Sequence, residues 1–177
     1  MSETILVLGG TRSGKSRLAE RLAGEREPVT LVATASVDPT DAEMSARIAR
    51  HRTERPAHWT TVEAPRDLEG VLAGLAARDG SVVIDCVTLW ISNLMLGQGE
   101  GEPLEDEAIL AALDRAARAA RGQARVIWVS NEVGSGIIPI NPLARRFADL
   151  QGWANQRLAA ACDSVVLCVA GLSVRLK

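Results

Sequence analysis

The sequence is poor in cysteine and histidine and carries almost no net charge. Three cysteines, Cys86, Cys162 and Cys168, stand apart from one another in apolar runs. An odd, scattered set makes neither a disulfide frame nor a zinc site, and reads as buried thiols in a reducing compartment, the cytoplasm. Lys and Arg (20) nearly balance Asp and Glu (22), for a formal net charge of −2. No basic field is left to hold nucleic acid non-specifically, although arginines cluster at 47–55 and at 145–146. No apolar run approaches the ~20 residues of a membrane-spanning helix. The opening MSETILVLGG turns glycine-rich too soon for a signal peptide. A cytoplasmic chain is expected, with no membrane span and no nucleic-acid partner.

What is present is a rhythm. Nearly continuous apolar runs occupy 4–9, 29–35, 81–86, 124–130 and 164–171. Strands of this kind are buried on both faces, as in a parallel sheet. Helix-like segments lie between them, near 15–24, 41–53, 66–78, 87–96, 104–121 and 142–162. The alternation predicts an α/β fold, a mostly parallel sheet with helices on both faces. The tail LSVRLK adds an edge strand in this reading, GQGEGEP (97–103) is a flexible loop, and residues 1–177 form a single domain.

The first strand runs straight into GGTRSGKS, which is Gly9, four residues, then Gly14-Lys15-Ser16. This is the full Walker A pattern. Glycines let backbone N–H groups curl around phosphate oxygens, and the following helix aims its N-terminus at them. Lys15 then reaches the β- and γ-phosphates, and Ser16 ligates Mg²⁺. A Mg²⁺-phosphate site needs an acid at another strand end, and Asp85 closes the run SVVID. The loop alone does not fix function. A guanine-reading Asn-Lys-x-Asp motif is missing and the chain is short, which favours a metabolic enzyme over a switch or a motor.

The chain has two histidines, His51 and His58. Thr40 and Glu43 fit a capping box that opens a helix through Met44 and Ile48 to His51. Those last three lie within about 60° of one another around the axis, so His51 belongs to the apolar stripe. It is then either a hydrogen-bonded core histidine or a reactive one. Nearby arginines and partial burial favour a neutral imidazole near pH 7, the form that can attack phosphorus. His58 follows Pro56 and reads as a loop residue packed on Trp59.

Taken together, these segments resemble the bifunctional adenosylcobinamide kinase/adenosylcobinamide-phosphate guanylyltransferases. The resemblance rests on GGTRSGKS, ARIARHRTERPAHWTTVE (46–63), DCVTLWISNL (85–94), SNEVGSGIIP (130–139) and LARRFADLQGWANQRLA (143–159). It implies a RecA-like P-loop fold and a homotrimer. Two activities follow: phosphorylation of adenosylcobinamide by ATP or GTP, and transfer of GMP from GTP to the resulting phosphate. His51 takes the place of a histidine that carries GMP covalently. Nucleotide contacts fall on Gly9, Gly10, Thr11, Arg12, Ser13, Gly14, Lys15 and Ser16. Others fall on Thr34, Ala35 and Ser36, on Arg52, Thr53, Glu54 and Arg55, and on Glu63 and Asp85. Asp85 stands where the family varies between Asp and Glu, which leaves it two roles, metal ligand or guanine reader. The rival readings are a P-loop kinase of another small metabolite and a nucleotide-gated interaction protein.

Overall fold

The computed structural model describes residues 2–36, 46, 56–75, 79–98, 101–122 and 125–177. The strands are β1 (Glu3–Gly9), β2 (Val29–Ala33), β3 (Thr60–Glu63), β4 (Ser81–Asp85), β5 (Arg125–Asn131), β6 (Ser164–Val169) and β7 (Leu172–Arg175). The helices are α1 (Lys15–Gly24), α2 (Leu68–Gly74), α3 (Val87–Leu96), α4 (Asp106–Ala119) and α5 (Pro142–Ala161). They build a seven-stranded sheet in the order β3-β2-β4-β5-β1-β6-β7. Every pairing is parallel except that of β7 with β6.

The expected α/β fold is present, and the central apolar runs are its central strands. Three details differ. Residues 60–63 form an edge strand that the pattern did not announce, because two threonines and a glutamate look like loop. The run 164–171 ends as a strand at Val169, where Ala170 and Gly171 (φ 52° and 81°) turn the chain into β7. The run 29–35 ends as a strand at Ala33. The helix expected over 41–53 lies outside the described residues, apart from Ala46, which is helical.

Alternation along the strands sorts side chains onto two faces. Ile5, Val7, Val83, Ile127 and Val129 pack with Leu18, Ala19 and Ala23 of α1. Leu6, Val82, Ile84, Val126 and Trp128 pack on the other face with α2, α3, α4 and α5. Helices therefore cover both faces. The arginines at 145–146 tie α5 to the loop before it and to α4. Arg145 donates to the carbonyls of Pro139 and Ile140 at 2.9 and 2.6 Å, and Arg146 pairs with Asp106 at 2.8 Å. Cys86, Cys162 and Cys168 are free and buried, as expected. Burial pushes the Cys162 thiol up to about 12, with the Asp163 charge adding to the effect.

Leu6 is fully buried in the strand that carries the phosphate loop. Leu6→Ala removes packed atoms and leaves a cavity, so it should cost about 2–5 kcal/mol. A urea melt should show a lower midpoint with an unchanged slope.

Candidate active site

In an open parallel sheet, ligands bind beyond the carboxyl ends of the strands, where neighbouring connections leave in opposite directions. That point lies between β1 and β5. From β1 the chain runs through α1 to β2, on one side of the sheet. From β5 it runs through α5 to β6, on the other side. Gly9 and Asn131 face each other there as partners in the parallel register.

The loop after β1 has the geometry its glycines allow. A Cβ on Gly9 would sit 2.3 Å from Ser13 Oγ and 2.7 Å from the Cys168 carbonyl. Gly14 takes φ 96°, and a Cβ there would meet Gly171 Cα at 3.1 Å. Both positions need glycine. Gly14 is the residue before α1, and helix bonding begins with Leu18 N–H donating to its carbonyl at 3.0 Å. Ser13 N–H donates to the Gly10 carbonyl at 3.3 Å, and the Gly171 N–H donates to the Ser13 carbonyl at 2.9 Å. The β6–β7 turn thus braces the loop from below. Lys15 is buried, and its Nζ donates to the Gly10 carbonyl at 3.2 Å, folded across the mouth of the loop. Gly10, Thr11, Arg12 and Ser16 complete this turn, with Arg12 at φ 59°.

Asp85 ends β4, and its register partner Ala33 is also the partner of Glu63. Glu63, Ala33 and Asp85 form one row at the carboxyl edge, next to the exit of β2 into Thr34, Ala35 and Ser36. Asp85 shares strand parity with Val83, so its side chain stands on the α1 face, the face of the phosphate loop. Thr34, expected as a nucleotide contact, also holds the backbone at this edge. It is fully buried, and its hydroxyl donates to the Cys86 carbonyl at 2.7 Å and accepts from the Cys86 N–H at 2.8 Å. Its N–H donates to the Asp85 carbonyl at 3.1 Å. Thr34 therefore fixes the Asp85–Cys86 junction, while Ala35 and Ser36 are the half-exposed residues beyond it. Burial raises the Cys86 thiol, with the Asp85 charge second, so Cys86 is a poor nucleophile.

Two polar knots hold this edge, and sequence reasoning missed both. Asn93 is buried and donates to the carbonyls of Thr34 and Pro65 at 2.7 and 2.9 Å. Gln151 donates to Ser130 Oγ at 2.9 Å and to Asn155 Oδ1 at 3.0 Å, and Ser130 donates to Asn155 Oδ1 at 2.6 Å. A usable signal exists for the second: two amides four residues apart beside the buried stripe Leu150, Ala154 and Leu158. His51, Arg52, Thr53, Glu54 and Arg55 lie outside the described residues. His58 is a loop residue whose Nε2 meets Glu27 Oε1 at 2.8 Å.

The profile of the family described as cobinamide kinase / cobinamide phosphate guanyltransferase matches residues 5–176. The chain belongs to this family. Among its relatives is the bifunctional adenosylcobalamin biosynthesis protein CobU of Salmonella typhimurium, 44% identical over 98% of this chain and 99% of that one. Another is CobP of Pseudomonas aeruginosa, 45% identical over 97% and 96%. Two solved structures of low identity share the fold. A type III secretion ATPase of pathogenic bacteria superposes with a TM-score of 0.59 at 12% identity, over 98% of this chain and 56% of that one. The P4 protein of bacteriophage phi6, in complex with ADP, gives 0.50 at 18%, over 97% and 54%.

Gly14→Ala forces an L-residue into the left-handed region against Gly171. The conformation costs roughly 1–2 kcal/mol. A fluorescent nucleotide should bind at least about tenfold more weakly, with only a small drop in melting temperature. Equal affinity would show that the loop conformation is not the binding one.

Proposed function

We propose that this protein phosphorylates adenosylcobinamide and then transfers GMP from GTP to the phosphate it has made, releasing adenosylcobinamide-GDP. The observation that carries this is a near-full-length match to bifunctional enzymes of this chemistry, in a chain whose phosphate loop is folded at the switch point of its sheet. One catalytic domain spanning 1–177 performs both steps. The reading includes a homotrimer in the cytoplasm.

In the first step the substrate hydroxyl oxygen attacks the γ-phosphorus of ATP or GTP. The bond to the β-phosphate oxygen breaks, and the nucleoside diphosphate leaves. Such transfers depend on positioning and on charge neutralisation. Lys15, now folded onto Gly10, swings onto the β- and γ-oxygens, and the N–H groups of Gly9 to Ser16 hold them. The Ser16 hydroxyl and the Asp85 carboxylate suit Mg²⁺, a hard cation that takes one or two protein oxygens, waters and phosphate oxygens. Ser13 Oγ, buried with no partner among the described residues, adds a polar atom to the floor of the loop. When bound there, the ion would offset charge on the transferring phosphoryl group.

In the second step a ring nitrogen of His51 attacks the α-phosphorus of GTP. The α–β bond breaks and pyrophosphate leaves. The substrate's phosphate oxygen then attacks the same phosphorus, and the P–N bond breaks. Splitting the displacement in two is the use of a covalent nucleophile. Ala35, Ser36, Arg52, Thr53, Glu54, Arg55 and Glu63 line the nucleotide path in this reading. Asp85 holds metal rather than reading guanine, because its side chain stands on the phosphate-loop face.

Two variants test the steps separately. Lys15→Ala removes a positioned charge and should lower kinase turnover roughly 10²–10³-fold at saturating nucleotide. His51→Asn should leave phosphorylation in place and bring guanylyl transfer to background. Wild type incubated with α-labelled GTP should keep label after denaturation, lost in acid and stable in base, and the variant should keep none. A labelled His51→Asn protein contradicts the assignment.

A further inference from the structure

The loop NEVGSGIIP begins at Asn131, and nothing so far gives that residue a task. Its surroundings are unusual. Its main chain is held from two sides: the N–H donates to Thr88 Oγ1 at 2.8 Å, and the carbonyl accepts from Asn155 Nδ2 at 3.0 Å. Asn155 is in turn fixed by Ser130 and Gln151, both fully buried. The side-chain oxygen, by contrast, is buried with no hydrogen-bond partner among the described residues. An orphaned buried acceptor is costly, yet four side chains hold the peptide that presents this one.

Strand parity says where that oxygen is presented. Asn131 follows Ile127 and Val129, which pack on α1, so its side chain stands on the phosphate-loop face. Its register partner is Gly9, whose α1 face is covered by Ser13 Oγ, which with Asn131 Oδ1 and Gln151 Oε1 makes three buried side-chain oxygens without a partner among the described residues. On the other side, β5 pairs with β4, which ends in Asp85 on the same face. Asn131 therefore lies between the phosphate loop and Asp85. A side-chain amide oxygen only accepts hydrogen bonds. Phosphate oxygens offer no proton to it, whereas a water on a cation does.

We propose that Asn131 is a positioning residue for the metal: its Oδ1 accepts a hydrogen bond from a water on the Mg²⁺ held by Ser16 and Asp85. This rests on the metal reading above. It also gives the Thr88, Asn155, Ser130 and Gln151 contacts a purpose, since they fix the peptide from which the oxygen projects.

The test is the affinity of a non-hydrolysable GTP analogue in EDTA and in saturating Mg²⁺, the ratio giving the tightening due to metal. Loss of an outer contact of this kind typically lowers metal affinity roughly 10–100-fold. Asn131→Leu, close in size but without the acceptor, should lose that much of the Mg²⁺-dependent tightening while its affinity in EDTA stays at the wild-type value. Asn131→Asp keeps an acceptor in place and should hold the tightening at or above the wild-type level. Asn131→Ala replaces the leucine variant if the latter does not melt cooperatively. Wild-type tightening in Asn131→Leu overturns the proposal. So does equal weakening with and without metal, which a purely structural residue would give. Ser16→Ala and Asp85→Asn are measured alongside. If they lower the tightening and Asn131→Leu does not, this inference alone falls. If they too leave it unchanged, the metal reading falls and takes this one with it.

Discussion

The site depends on one constraint, the parallel pairing of β4, β5 and β1 in fixed register. Pairing Gly9 with Asn131, and Asp85 with Val129, brings three strand ends to a common edge. Alternation then sends the side chains of Asp85 and Asn131 to the face on which α1 lies. A one-residue slip of β5 would turn Asn131 to the opposite face and exchange Trp128 with Ile127 and Val129 between two cores packed to fit them. Register here is held by burial, since Ile127, Trp128 and Val129 have no exposure to lose without cost.

Around that edge the chain uses polar groups sparingly, and mostly to hold backbone. Thr34 ties β2's exit to the Asp85–Cys86 peptide, and Asn93 ties the same exit to the segment before α2. Ser130, Gln151 and Asn155 tie the end of β5 to α5. Each makes buried hydrogen bonds that rigidify the edge, although Gln151 Oε1 itself has no partner among the described residues. The reacting residues can then be few, because hydrogen bonds hold the backbone that carries them.

Much of this was legible in the sequence for local reasons. A Walker loop is a short contiguous pattern, and Gly9 and Gly14 announce the backbone that only glycine takes. Buried parallel strands are apolar runs, so β1, β4 and β5 were found within a residue. The parts that were not legible are set by partners far along the chain. The hydrogen bonds of Thr34 were not legible, because nothing local reveals that Cys86, 52 residues on, takes its hydroxyl. β3 was hidden because an exposed edge strand carries polar residues on both faces. Asn131 had no role until the sheet order set it beside Gly9.

The central claim is that the carboxyl edge of β1, β5 and β4 holds the triphosphate. The most direct measurement is a crystal structure with Mg²⁺ and a non-hydrolysable GTP analogue. The account predicts β- and γ-phosphates within hydrogen-bond reach of the N–H groups of Gly14 to Ser16, Lys15 released from Gly10 onto the γ-phosphate, and metal between Ser16 and Asp85. A triphosphate seated elsewhere, with Lys15 still on the Gly10 carbonyl, would contradict it.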